Sequence, residues 1–197
     1  MTKSELRKIY LTKQKSLSDV LRGEKSLQIT RHFFQTFDLC KVKYLHCFLP
    51  IKRTNEIDTN LIFQKIWRDF PQIETLVPRV NFQTNEIESL KLTPETNLVQ
   101  NVWQIDEPAD NELIETKKID MVLVPLLCFD ARGFRVGYGK GFYDKFLSKC
   151  RKDCVKIGLS FFPPVAEISD INEHDIALPY SITPDKVFKL KSKKTKI

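Results

Sequence analysis

The stretch Met121–Cys150, MVLVPLLCFDARGFRVGYGKGFYDKFLSKC, decides how the chain is read. It opens on an apolar run, Met121–Phe129, of the kind that forms a buried strand. It closes on Phe142, Tyr143, Phe146, Leu147 and Cys150, which recur at helical spacing. Between them, Phe129–Asp144 holds four of the six glycines (Gly133, Gly137, Gly139 and Gly141) together with Arg132, Arg135, Lys140 and Asp144. A Gly-rich turn between a strand and a helix can hold a phosphate: glycines let backbone N–H groups approach the anion, and the helix N-terminus adds partial positive charge. The same glycines can simply supply positive φ to a tight turn whose basic residues face water. Neither standard template decides between these readings. A Walker loop needs Gly at position 134 and Ser or Thr at 141, where Phe134 and Gly141 stand; a dinucleotide fingerprint from Gly137 needs Gly at 142, where Phe142 stands.

Upstream, the pattern alternates. Thr2 with Glu5 three residues on makes a capping box for a helix over residues 2–16, and Ser18 caps a second helix running to about Phe37. Lys3 and Arg7 lie one turn apart, able to converge on one anion or to form a solvated basic face. Lys43–Leu49 reads as a strand ending at Pro50, followed by the loop IKRTNEIDT. Glu56 in that loop is either a partner for a ligand rich in N–H groups or a carboxylate in water. Asp58 or Thr59 caps a helix to Phe70, and Ile73–Val77 is a strand closed by Pro78-Arg79. Glu86–Leu92 is a further short strand, Thr93–Asp110 is irregular, and ADNELIETKKID is a short helix or turn. Trp103 either stacks on a planar ring or packs under a loop. Downstream, Val155–Ser160 and Val187–Leu190 are strands, with Pro163-Pro164 between them.

Strand–helix alternation with crossovers this long predicts a single three-layer α/β domain, its central sheet largely parallel and flanked by helices. In such sheets ligands collect at the carboxyl ends of strands, which predicts that IKRTNEIDT, the Pro78-Arg79 turn and the Gly-rich turn converge. Asp144 and Asp175 would make a magnesium-type carboxylate pair if the fold joins them.

The 197 residues, 42% hydrophobic and 29% charged, suit one soluble domain. No apolar run is long enough for a membrane helix, and the charged N-terminus is not a secretory signal. Five cysteines without a C-x-x-C pair read as reduced thiols in a cytoplasmic protein, and the three histidines make no zinc pairs with them. The net charge of +7 is concentrated in residues 185–197, where six lysines and one aspartate leave +5. We divide the chain into a domain over residues 1–184 and a last strand with a basic tail over 185–197. A nucleic-acid role for the tail is not expected, since no stacking pattern or binding module accompanies it.

Taken together, VPLLCFDARGFRVGYGKGFYDKFL, the N-terminal KSELR, FLP…NEIDT, VPRV, Trp103–Pro108 in the pattern W-x-I-x-EP, and NEHD resemble the 5-formyltetrahydrofolate cyclo-ligase family over nearly the whole length. The resemblance implies an α/β enzyme that uses ATP and Mg²⁺ to convert 5-formyltetrahydrofolate to 5,10-methenyltetrahydrofolate; we expect a monomer. It implies ATP contacts from Lys3, Ser4, Glu5, Leu6 and Arg7, and from Arg135, Val136, Gly137, Tyr138, Gly139, Lys140, Gly141, Phe142 and Tyr143. Folate contacts would come from Leu49 and Glu56 and from Tyr138 through Phe142. Arg135 and Lys140 would clamp the reacting phosphate, and Asp144 and Asp175 would hold the metal. Family members often carry Tyr at position 142 and Gly at 140, so this chain departs from them at Phe142 and Lys140. A binding protein that kept the fold without turnover, or an RNA-associated protein using the tail, are the alternatives.

Overall fold

The computed structural model describes residues 1–102 and 104–190. Trp103 and the end of the basic tail, residues 191–197, lie outside the described residues. Among the described residues four α-helices, α1 (Lys3–Lys15), α2 (Asp19–Thr36), α3 (Asn60–Asp69) and α4 (Phe142–Lys149), surround the strands. The main sheet contains β1 (Tyr44–Cys47), β2 (Glu74–Asn81), β3 (Glu86–Leu92), β6 (Leu113–Ile114), β7 (Met121–Pro125), β10 (Val155–Leu159), β11 (Tyr180–Ile182) and β12 (Val187–Lys189). Two small ribbons stand apart: β4 (Leu98–Gln100) with β5 (Asp106–Pro108), and β8 (Cys128–Phe129) with β9 (Arg135–Val136).

The sheet runs β12-β11-β10-β7-β1-β2-β3-β6. Its centre, from β11 to β2, is parallel, and both margins are antiparallel. β7 sits in the middle with Met121, Val122, Leu123 and Val124 all buried, as a strand covered on both faces requires. Leu123 packs with Leu45 and Cys47 of β1 under α2 and α3, while Val122 and Val124 pack with Phe146 and Leu147 of α4. This makes the three layers. His46 faces the α4 side, its Nδ1 3.0 Å from Ser89 Oγ and its ring 4.6 Å from that of Phe146. Burial holds its pKa down at about 3, so it is neutral.

Several boundaries differ from those expected. β2 runs through Pro78-Arg79 instead of closing there. β1 pairs with β2 only as far as Leu76, so the missing N–H of Pro78 costs no bond on that side. The segment expected to be irregular carries the β4–β5 ribbon. The apolar run Met121–Phe129 is two strands: after Pro125 the chain leaves the sheet, and Leu127 N donates to Val136 O at 2.8 Å. Thr59 precedes α3 but does not cap it, because its hydroxyl donates to Phe48 O at 2.6 Å.

Candidate functional site

A cleft of about 880 Å³ opens at the carboxyl ends of β1 and β7. The segments expected to converge do meet there, the Pro78-Arg79 segment as part of β2 and not as a turn. Leu49, Ile51, Arg53, Thr54 and Glu56 come from the loop after β1, Pro78 and Val80 from β2, and Gly137–Lys145 from the Gly-rich stretch. Two further elements complete the wall: Lys3 and Arg7 of α1, and residues 172–176.

The Gly-rich stretch divides into two functions. Its first half is the β8–β9 turn. Asp130, fully buried, accepts from the backbone N–H of Arg132 (2.9 Å), Phe134 (3.2 Å) and Ile168 (3.3 Å), and pairs with the Arg132 guanidinium at 2.7 Å. Gly133 supplies the positive φ of +90° that this turn needs. The second half, Gly137–Gly141, borders the cleft and leads into α4, whose N-cap is Gly141 at φ +70° with no side-chain cap. The first N–H groups of α4 are therefore not taken by a capping side chain, the arrangement that favours an anion.

Helix α1 packs directly against this loop. Arg7 Nε donates to Gly137 O at 2.9 Å. Gly139, at φ +95°, leaves room for the same guanidinium, since a Cβ there would stand 3.1 Å from Arg7 Cζ. Leu6 and Val136 lock the two elements together in a small cluster with Cys128 and Ile168. The cations of this wall are held differently. Lys140 is exposed at the rim. Arg135 is almost wholly buried and engaged, donating to Asp144 Oδ1 at 2.8 Å and to Ile176 O at 2.7 Å. Burial pushes its pKa down while the Asp144 charge opposes the shift. Lys3 Nζ lies 2.5 Å from both Asp175 oxygens.

The opposite wall is apolar, with Phe48, Leu49, Ile51, Pro78, Val80 and Ile87 around one buried carboxylate, Glu56. Glu56 Oε2 accepts from Ile51 N at 2.7 Å, and the nearby Tyr138 hydroxyl favours its charged form. Tyr138 is in turn 3.1 Å from Gln14 Nε2, which also donates to Thr54 O at 2.7 Å. Desolvation outweighs these interactions and raises the Glu56 pKa to about 7. The carboxylate reading of a loop in water is thereby set aside. The Tyr143 hydroxyl is buried without a hydrogen-bond partner between these walls.

Of the expected contacts, Lys3, Arg7, Leu49, Glu56, Arg135, Asp144 and Asp175 line the cleft, as do Gly137 through Tyr143. Ser4, Glu5, Leu6 and Val136 do not. Ser4 is exposed, Glu5 is spent on the capping box with Thr2, and Leu6 and Val136 face the small core. Asp144 and Asp175 come together around Arg135, whose charge feels both. Two hard oxygen donors beside a Gly-rich loop fit Mg²⁺, which takes one or two carboxylates plus phosphate oxygens. No group of three or more His, Cys, Asp or Glu side chains able to hold a metal occurs among the described residues. Gln14, Thr54, Asn101, Ile105 and Glu107 also border the site or brace it. Thr54 lies in the loop IKRTNEIDT, and Ile105 and Glu107 in the W-x-I-x-EP pattern, whereas no local pattern marks Gln14 or Asn101, whose places arise from packing between distant segments.

Comparison with known proteins identifies the family. The model of the 5-formyltetrahydrofolate cyclo-ligase family matches residues 1–184. A 5-formyltetrahydrofolate cyclo-ligase of Mycoplasma genitalium is 30% identical over 173 residues, covering 85% of this chain and 90% of the relative. That of Mus musculus is 27% identical over 173 residues, covering 82% and 83%. The solved structure of Aquifex aeolicus 5,10-methenyltetrahydrofolate synthetase matches with a TM-score of 0.81 at 28% identity, over 100% of this chain and 97% of that one. With a match to nearly its full length and the same mixed α/β architecture, the chain belongs to the 5-formyltetrahydrofolate cyclo-ligase family.

Proposed function

We propose that this protein converts 5-formyltetrahydrofolate to 5,10-methenyltetrahydrofolate at the expense of ATP, releasing ADP and phosphate. The observation that carries the reading is that one cleft joins a wall of glycines and cations to an apolar wall built around Glu56. A reaction between a triphosphate and a flat heterocycle needs both walls within reach of each other.

Phosphoryl transfer asks for positioning and charge neutralisation rather than a protein nucleophile. Arg7, Lys3, Lys140 and the N–H groups of Gly137 through Tyr143 would hold the triphosphate, with Lys140 as the mobile cation of the clamp and Arg135 fixing its geometry from below. Leu49 and the face of Tyr138 would pack on the pterin, and the Glu56 carboxylate would accept from its N–H groups. The formyl oxygen takes the γ-phosphoryl group, and its carbon becomes an iminium-like electrophile. N10 attacks that carbon and loses its proton, and the C–O bond breaks as phosphate leaves with the former formyl oxygen and can take up that proton. Asp144 and Asp175 would hold Mg²⁺, which would neutralise charge on the transferring phosphoryl group. We take residues 1–184 as the working domain and 185–197 as its last strand and basic tail, and we read the enzyme as a cytoplasmic monomer, in keeping with five free cysteines.

Following methenyltetrahydrofolate by its absorbance, with 5-formyltetrahydrofolate, ATP and Mg²⁺, tests the reading. Product should form only with all three present. Tight ligand binding by folded protein without ADP release would replace it with a binding role.

A further inference from the structure

The two carboxylates at the cleft are held in unlike ways. Arg135 and Ile176 N both bond Oδ1 of Asp144, and neither takes Oδ2. Lys3 takes both oxygens of Asp175, and Asn172 N adds a bond of 2.6 Å to one of them. The Lys3–Asp175 pair is largely withdrawn from water, with side chains 17% and 15% exposed. It is also placed deliberately by the backbone. Ser169 N donates to Met1 O at 2.9 Å, and Lys3 N donates to Asp170 Oδ1 at 2.6 Å, so residues 1–3 are stitched to residues 169–175 independently of the ammonium.

From this geometry we infer that Lys3 is a stand-in cation, occupying Asp175 until a metal–nucleoside triphosphate complex arrives and then moving to the phosphates. The inference rests on the reading of Asp175 as a metal ligand given above. An ammonium spread over both oxygens fills the positions a hard divalent cation needs, and the two charges repel at that distance. The metal therefore enters only if the ammonium leaves. Lysine carries its charge on a flexible four-carbon stem and can do so without moving its backbone. Triphosphate oxygens beside Arg7 offer it a new partner. The exchange keeps every charge paired. Free metal alone gains nothing for the displaced ammonium and so binds poorly, whereas metal and nucleotide reinforce each other. That is a coupling between two ligands, and it is reciprocal.

The test uses the full chain and Mn²⁺ as probe, with free Mn²⁺ followed by its paramagnetic resonance signal. Without nucleotide, Lys3→Met and Lys3→Gln should each bind Mn²⁺ at least tenfold more tightly than the unmodified protein, and adding Asp175→Asn to either should abolish the gain. With ATP, the unmodified protein should tighten on Mn²⁺ markedly, and the Lys3 variants should tighten less. Melting curves confirm that each variant is folded, and two replacements of different polarity guard against one that is not. Lys3 variants that bind nucleotide-free Mn²⁺ no more tightly would overturn the stand-in role, while Asp175→Asn alone still weakened Mn²⁺ binding with ATP. Asp175→Asn with unchanged Mn²⁺ affinity in the presence of ATP would instead remove the metal reading on which the inference stands.

Discussion

Replacing Glu56 by Gln should make the protein more stable in alkaline buffer and leave its stability nearly unchanged near pH 4.5. Glu56 is 4% exposed, and its carboxyl sits at about 7 instead of the ordinary 4.5. The folded state thus holds the proton more tightly than the unfolded chain does. Stability is kept below pH 4.5, falls as the pH rises through the window from 4.5 to 7, and is fully reduced above it. At 1.36 kcal/mol per pKa unit the difference is worth about 3 kcal/mol. Glutamine keeps an oxygen to accept from Ile51 N but has no charge to desolvate. His46, with its pKa depressed to about 3, destabilises the fold at acid pH, but it is present in both proteins and cancels in the comparison. Urea denaturation at half-unit pH steps from 4.5 to 8.5 gives the two profiles. The stability of the variant relative to the parent should climb by about 3 kcal/mol across that range. Parallel profiles would show that Glu56 is ionised with no penalty, and the argument from its burial would be wrong.

Binding of 5-formyltetrahydrofolate near pH 6.5 should release a proton from Glu56, seen as a calorimetric enthalpy that varies with the ionisation enthalpy of the buffer; no buffer dependence would separate the ligand from this carboxyl. Gly139→Ala meets both the left-handed φ and the Arg7 guanidinium, so it should cost about 1–2 kcal/mol of stability and weaken ATP binding roughly tenfold by displacing Arg7. Arg135→Ala leaves Asp144 and Ile176 O without their cation; transition-state stabilisation read from kcat/KM should fall by about 2–4 kcal/mol and the melting temperature should drop with it, whereas a fall in activity alone would make Arg135 a direct phosphate ligand. Asp144→Asn should raise the Mg²⁺ concentration needed for half-maximal activity, and an unchanged requirement would strike Asp144 from the metal site.

Helix ends and long amphipathic segments were legible because their signals are local. The Thr2–Glu5 capping box and the Ser18 cap stand where the residues said they would. Edge features were not. Pro78 looked like a stop because the sequence does not show that β1 ends opposite Leu76. β11 escaped notice because three residues carry no period, and only pairing with β10 makes them a strand. In the site, the Gly-rich loop, Glu56 and the two aspartates could be named from residue type and family pattern. Their partners could not. Nothing near Lys3 points to Asp175, and nothing near Gln14 points to Tyr138, since 172 and 124 residues separate those pairs.

Those long separations bear on how the site comes into being during synthesis. Helix α1 leaves the ribosome first, yet Leu6 packs in a cluster whose other members, Cys128, Val136 and Ile168, follow much later. The central strands β1, β2 and β7 and the Gly-rich loop that holds Arg7 precede residues 168–175, but until those residues follow, Lys3 lacks its partners Asp170 and Asp175. The wall of the cleft that carries Lys3 and Asp175 is therefore completed only once residues 168–175 have followed the sheet. A chain halted before Asp175 would carry much of the sheet and the Gly-rich loop but would leave Lys3 without its carboxylate partner.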